Sequence, residues 1–393
     1  MKRSAINGGD PALLRRLNND AVLRAIRGRE PMTLSGIATA ASLSRQTVDL
    51  VLEEFQQQGW VEEVAPGRTK GRPARRYRFR AEAGHVLGID VGSTSVLFML
   101  ADLNGEPVGR RVVTEDMGGA GEDRLEAIRR AAVRFVGDHP DARPRALCLG
   151  VPGIVDAQGA VRHCDLLPEW NGLDLAARAA DWFGCPAVTD NDANLAAVAE
   201  HWQGAAQDCD DFIHLLIGQR TGAAVVLDGR LRRGRAGAAG EIAGLAVLGW
   251  DGTDRDALHG GADVAQVFAD AADGDEAALL RVDRFARTYA LGTAAMVLTV
   301  NPDLVVVGGG LSRAGEILVD PLRRHLEGLC IDPPHVRVSR LGVEAVALGA
   351  LRVALDRCDR ELFEFPDSPQ DAVRPEADRL PPARRDTDGV RTL

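Results

Sequence analysis

Lysine is almost missing from this chain: Lys2 and Lys70 are the only two among 47 Lys and Arg residues in a length of 393. A bias that strong reflects genome composition before function, so arginine abundance by itself carries no argument. Cysteine is sparse as well. The six (Cys148, Cys164, Cys185, Cys209, Cys330, Cys358) are scattered without a CxxC pair, which argues against a disulfide framework and a cysteine-rich zinc site. Aromatic residues make up only 4%. No run of about 18 apolar residues offers a bilayer span, and the start, MKRSAINGGDPALL, lacks the apolar segment and cleavage site of a signal peptide. These absences give the expectation of a cytoplasmic protein with no membrane partner.

What is present is enough for several cores. The length exceeds one compact domain and predicts two or three, and 45% hydrophobic with 26% charged residues is an ordinary globular composition. The net charge of -10 hides an asymmetry: residues 1 to 85 hold 15 Lys and Arg against 9 Asp and Glu, and the remaining 308 hold 32 against 48. A basic head on an acidic body predicts an anionic partner for the head alone.

The head has a helical period from Pro11 to Gly28, a short helix from about Leu34 to Ala41, and a third helix that Ser44 can cap. Leu43 and Val48 are spaced as a hydrophobic staple, and Val48, Val51, Leu52 and Phe55 line one face. Helix, short helix, tight turn and helix make a helix-turn-helix whose third helix presents Arg45, Gln46, Thr47 and Asp49. Arginine pairs with guanine and glutamine with adenine, while Ser44, Thr47 and the helix N-terminus suit phosphate. The alternative is a three-helix packing unit with a solvated polar face. WVEEV and RYRFR alternate as a two-stranded wing, and residues 68 to 80 between and within them hold seven basic side chains and no acidic one. Lys70, Arg72 and Arg75 join the DNA-contact candidates, with Gly71-Arg72-Pro73 slim enough for a minor groove. A solvated linker is the bland alternative for that loop.

From His85 the texture changes. VLGIDVGSTSVLFMLADLNGEPVGRRV reads as strand, glycine turn, strand, Asn-Gly hairpin and strand, and FIHLLIGQRTGAAVVLDGRLRRG repeats the plan. Helices are predicted over Arg124 to Val136, Ala193 to Trp202 and Ala286 to Thr299. Two α/β lobes with a cleft between them follow.

Asp90-Val91-Gly92-Ser93-Thr94 is similar to the DxGxT phosphate loop of the sugar kinase, heat-shock protein 70 and actin superfamily. With VPGIVD (151 to 156), TDNDAN (189 to 194), AGEI (239 to 242), NPDLVVVGGGLS (301 to 312) and a late ALGAL helix, the chain resembles the ROK family of repressors and sugar kinases over residues 10 to 358. The resemblance implies an α/β fold: a winged helix-turn-helix over 10–81, then a duplicated actin-like, ribonuclease H-like domain over 84–360. Lobe one would be about 84–192 plus a C-terminal helix 343–358, lobe two about 193–342, and 366–393 a proline-rich disordered tail.

Chemically, a glycine turn after a strand lets backbone N–H groups meet phosphate, with Asp90 and Thr94 beside a hydrated magnesium ion; an ordinary hairpin turn is the alternative. A carboxylate at the mouth of a helix can take a sugar hydroxyl proton, and helix capping by Asp192 is the alternative there. The resemblance makes Asp192 the counterpart of the kinases' base, Asn191 and Glu241 ligands of sugar hydroxyls, and Gly153 a neighbour of the ring. It also marks departures. The second phosphate loop, GTGIG in the kinases, reads Gly218-Gln219-Arg220-Thr221-Gly222, which puts long side chains where bare backbone should meet a nucleotide. The family's zinc histidine is replaced by Gly244, and LGWDGTDRDALHGGADV holds no cysteine, so no zinc is expected, nor any cofactor. His259 is the candidate to replace the lost histidine in the sugar pocket. The expectation is a non-enzymatic regulator, a homodimer or homotetramer on a palindromic duplex operator, controlled by a sugar or sugar derivative. The alternative is an ATP-dependent sugar kinase with an appended DNA-binding domain.

Overall fold

The computed structural model describes residues 11–64, 74–114, 121–218, 220–250 and 264–363. The expected tail at 366–393 lies outside them.

The chain opens with α1 (Pro11–Ile26), β1 (Met32–Thr33), α2 (Leu34–Ala41), α3 (Arg45–Gln57), β2 (Val61–Val64) and β3 (Arg76–Phe79). Side-chain caps set the helix starts. Thr33 accepts the Gly36 amide at the head of α2, and Ser44 Oγ accepts the Thr47 amide at 3.1 Å at the head of α3. Ser42 takes the left-handed conformation between them, φ 56°, and so makes the turn. Val48, Val51, Leu52 and Phe55 are buried on the inner face of α3. The wing has three strands in the order β1-β3-β2, all antiparallel, where the sequence predicts two. Two-residue β1 is too short to leave a period.

Two five-stranded mixed sheets follow. The first combines β4 (His85–Val91), β5 (Val96–Asp102), β6 (Pro107–Val113), β7 (Pro144–Val151) and β10 (Ala187–Asn191) in the order β10-β7-β4-β5-β6. Around it lie α4 (Gly121–Gly137), a small β8 (Ile154–Val155) and β9 (Val161–His163) pair, and α5 (Leu175–Phe183). After α6 (Asp192–Gln203), the second sheet takes β11 (Phe212–Ile217), β12 (Thr221–Leu227), β13 (Arg230–Leu231), β14 (Leu304–Gly308) and β15 (His335–Val338), in the order β13-β12-β11-β14-β15. Its helices are α7 (Val264–Ala272), α8 (Glu276–Val300) and α9 (Glu316–Leu329), and α10 (Ala345–Phe363) closes the chain's described part. Each sheet has the same plan: a first strand antiparallel to its hairpin partner on one side and parallel to a crossover strand on the other. That is the duplication the repeated strand pattern predicts. β4 and β14, inside their sheets and covered on both faces, are apolar almost throughout.

The helix predicted over Ala286 to Thr299 begins ten residues earlier. Asp275 caps it through the Ala278 amide, and Ala278, Val282, Phe285 and Tyr289 carry the buried stripe backwards. One hydrophobic core runs from Val22, Leu52, Phe55 and Phe79 of the head into Val86, Leu351 and Leu355 of the first lobe, so the head is packed onto the body. Among the described residues no helix is long and apolar enough to cross a membrane.

Candidate functional site

The sheet register assembles the cleft. Across the parallel strands β4, β7 and β10, Asp90 stands opposite Gly150, and Gly150 opposite Asp190. The DxGxT loop, the VPG turn and the TDNDAN segment thus share one end of the sheet, the carboxyl end at which open α/β sheets bind ligands. Asn191 ends β10 and caps α6, its Oδ1 accepting the Asn194 amide at 3.0 Å while its Nδ2 donates to the Gly153 carbonyl at 3.0 Å. Sequence reasoning offered Asp192 as the cap. The structure gives that role to Asn191 and leaves Asp192 in the first turn, with its carboxylate on the Ala193 amide at 2.7 Å. Gly222 of the second lobe closes on the same place: a Cβ there would stand 2.8 Å from Ala193 Cβ and 3.8 Å from Asp192 Oδ1.

Electrostatics connect the carboxyl groups. Burial pushes Asp192 up to about 7, and the charge of Glu241 adds to it. Burial and then Asp192 push Asp90 up to about 7. Burial likewise raises Glu241 against the charge of His163, with Asp165 adding to the rise. Asp90, Asp192 and Glu241, far apart in the chain, therefore stand near enough for the charge of Glu241 to act on Asp192 and that of Asp192 on Asp90, and two carboxyl groups poised near neutrality, Asp90 and Asp192, mark a candidate functional site. Asp190, two positions before Asp192, has a different role. It is 3% exposed and takes Arg233 Nη2 at 2.6 Å and Nε at 3.0 Å, with the Asn191 amide and Asn194 Nδ2 on its other oxygen.

The DxGxT loop is stapled from behind. Buried Arg124 of α4 donates to the Ser93 carbonyl at 2.9 Å and to the Gly92 carbonyl, while the Gly92 amide is spent on the Ser95 carbonyl at 3.0 Å. Thr94 is exposed beside them. In the second loop the Gly218 amide donates to the Arg220 carbonyl at 3.0 Å. Arg220 reaches across the cleft to Asp165 at 2.6 Å, and His163 Nε2 meets the other Asp165 oxygen at 2.8 Å. The Arg220 hydrogen bond, foremost, holds Asp165 below the usual carboxylate range. His163, Asp165, Arg124 and Arg233 escaped the sequence reading because no local motif joins them to the loops they serve. Only Arg220, at a position where the resemblance implies glycine, was a visible signal.

At the head, Ser44, Arg45, Gln46 and Asp49 are exposed and Thr47 is half-buried. Ser44 and Thr47 hydroxyls lie 2.8 Å apart within the cap. No ion pair or hydrogen bond holds the Arg45 or Gln46 side chain among the described residues, and Arg75 lies on the wing 3.6 Å from Glu63. Lys70, Arg72, Gln219 and His259 fall outside the described residues. The donor set for the family's zinc does not fit this chain: Gly244 stands at the histidine position and residues 245 to 263 contain no cysteine. Among the described residues no group of three His, Cys, Asp or Glu could hold a metal.

The ROK family profile matches residues 86–249 and 254–357. The chain belongs to the ROK family. A xylose repressor of Caldicellulosiruptor bescii is 22% identical over 91% of this chain and 99% of its own length. A glucokinase of Thermotoga maritima is 28% identical, over 69% of this chain and 98% of its own. In three dimensions the crystal structure of a ROK family transcriptional regulator, a homologue of the Escherichia coli MLC protein, matches with a TM-score of 0.75 at 19% identity, covering 89% of this chain and 98% of that one. This ROK protein thus has the two-lobed actin-like α/β fold that regulators and sugar kinases share, with xylose repressors similar over nearly its whole length and glucokinases over about two thirds.

Proposed function

We propose that this ROK protein is a sequence-specific DNA-binding transcriptional repressor of carbohydrate uptake or catabolism genes, controlled by a sugar or sugar derivative in the interlobe cleft. Residues 10–81 act as the reading head and 84–360 as the sensor, working in the cytoplasm as a homodimer or homotetramer on a palindromic operator. The observation that carries the reading is the first turn of α3, where Arg45 and Gln46 stand exposed and uncommitted in a helix-turn-helix. Similarity to a repressor over 91% of the chain leaves too little unmatched to exclude the head.

Asn191, Asp192, Glu241 and Gly153 form the sugar site, with His259 as a further candidate. Of the DNA contacts, Arg45 and Gln46 read base edges, and Ser44, Thr47, Asp49, Lys70, Arg72 and Arg75 set the register on the backbone and groove. Asp90, Gly92, Thr94, Gly218 and Gly222 are the remains of phosphate loops. In this reading ATP is not a cofactor, which is supported by Arg220, paired with Asp165, in place of the bare glycine of the kinases' second loop. Sugar binding shifts the balance between two cleft geometries, and the head follows by differential affinity.

One observation favours a second reading: Asp192, titrating near neutrality at the mouth of α6, suits a kinase base. Two assays on the full-length protein decide. Anisotropy titration of a duplex selected from a random pool is expected to give salt-dependent binding that D-xylose, D-glucose or N-acetylglucosamine shifts. A coupled ATP assay with the same sugars is expected to give no turnover. Turnover that Asp192→Asn abolishes would establish the kinase instead.

A further inference from the structure

A sugar at the mouth of α6 can reach the operator only through a connected set of packed elements with defined geometry. α6 starts at the cleft, with Asn191 as its cap and Asp192 in its first turn. Along its length it lies against α10 at very close range: a Cβ on Gly349 would come within 1.8 Å of the Leu195 carbonyl oxygen. Farther on, the Arg352 guanidinium covers the Trp202 ring at 5.5 Å. The two helices therefore move together or not at all.

α10 then runs about 15 Å from Gly349 to Asp359, and there it meets the head. Both oxygens of buried Asp359 are held by Arg27, Nη1 on one and Nη2 on the other, each at 2.6 Å. Arg27 directly follows α1, its amide donating to the Leu23 carbonyl, and its guanidinium lies over the Phe79 ring of β3 at 5.3 Å. A bidentate guanidinium-carboxylate fork fixes angle as well as distance. Softer contacts surround it: Gly28 N on Asn104 Oδ1 at 3.1 Å, Leu103 N on the Ala81 carbonyl at 3.1 Å, and Arg145 over Trp60 at 5.3 Å.

We infer that Arg27 and Asp359 are the positioning pair that converts cleft occupancy into the setting of the DNA-reading head, by way of α6 and α10. The inference rests on the sugar-controlled reading above. Neither residue touches sugar or DNA. Their contribution is to make the head follow α10, so weakening the fork uncouples two sites that each still bind.

The test uses full-length wild type, Asp359→Asn, which keeps the shape and removes the charge, and Arg27→Lys, which keeps the charge and removes the fork. The readouts are the duplex Kd with and without saturating D-xylose, D-glucose or N-acetylglucosamine, and the sugar Kd by calorimetry. Wild type is expected to show a shift in duplex affinity of about tenfold, within the usual range of allosteric coupling. Both variants should retain less than about a third of that ratio while binding sugar within about twofold of wild type, a split that mere loss of stability does not produce. If Asp359→Asn does not fold, Arg27→Lys alone decides. Variants that keep the whole ratio overturn the inference and leave the sugar-controlled reading intact; a wild type that binds duplex and responds to no sugar overturns both.

Discussion

Removing the Asp192 carboxylate should make the unliganded protein more stable, and only above a definite pH. In the native cleft burial pushes this group from 3.8 up to about 7. Between those values the folded chain keeps a proton that the unfolded chain has lost, so stability falls as pH rises through the window and levels off above it. That rise, from 3.8 to about 7, is equivalent to about 4 kcal/mol. Asp192 keeps part of its surface in solvent, which screens the penalty, and Asn retains an acceptor for the Ala193 amide, so a gain of about 1–3 kcal/mol at pH 8 is the expectation for Asp192→Asn. For lobes of this size that is roughly 2–4 °C in melting temperature per kcal/mol. At pH 4 the two proteins should melt together. Asp90 adds to the effect, because the charge of Asp192 is one of the causes of its own rise. Thermal unfolding of both proteins from pH 4 to 8, without sugar, is the assay. A variant no more stable than wild type at pH 8 would refute the reasoning, since the carboxylate would then not be a strained, retained functional group. Sites kept for binding at the expense of stability behave in this way.

Three other outcomes follow from the geometry. Arg45→Ala should cost about 1–3 kcal/mol on a selected duplex and relax preference at one base position; equal losses on selected and random duplex would remove Arg45 from base readout. Asn191→Ala deletes both the cap of α6 and the tie to the Gly153 carbonyl, so urea unfolding should register a loss of about 1–2 kcal/mol, and calorimetry a weakened affinity for sugar. Gly349→Ala drives a methyl group into the Leu195 carbonyl; a cost of about 1–3 kcal/mol in urea is expected, and an unchanged midpoint would mean that α6 and α10 separate easily.

Parts of this molecule are written locally. The Ser44 cap, the buried stripe of α3, the strand-turn-strand openings of both lobes and the helix after TDNDAN are each specified by residues within a few positions of one another. The same holds for the first ten residues of α8, whose period and Asp275 cap are present in the sequence although the expected start lay at Ala286. The assignment of the cap to Asn191 over Asp192 turned on one residue of register, which two adjacent polar side chains do not resolve.

Other features depend on packing between distant segments. The chain's order of residues determined a basic helix-turn-helix head and two lobes of one design, because periodicity, capping and glycine turns act over a turn or a hairpin. The packed fold alone decided that Glu241 raises the proton affinity of Asp192 and Asp192 that of Asp90, that Arg220 reaches Asp165, and that Arg27 finds Asp359 across 332 positions. Such meetings are products of every element lying between the partners, and no short window of sequence contains them.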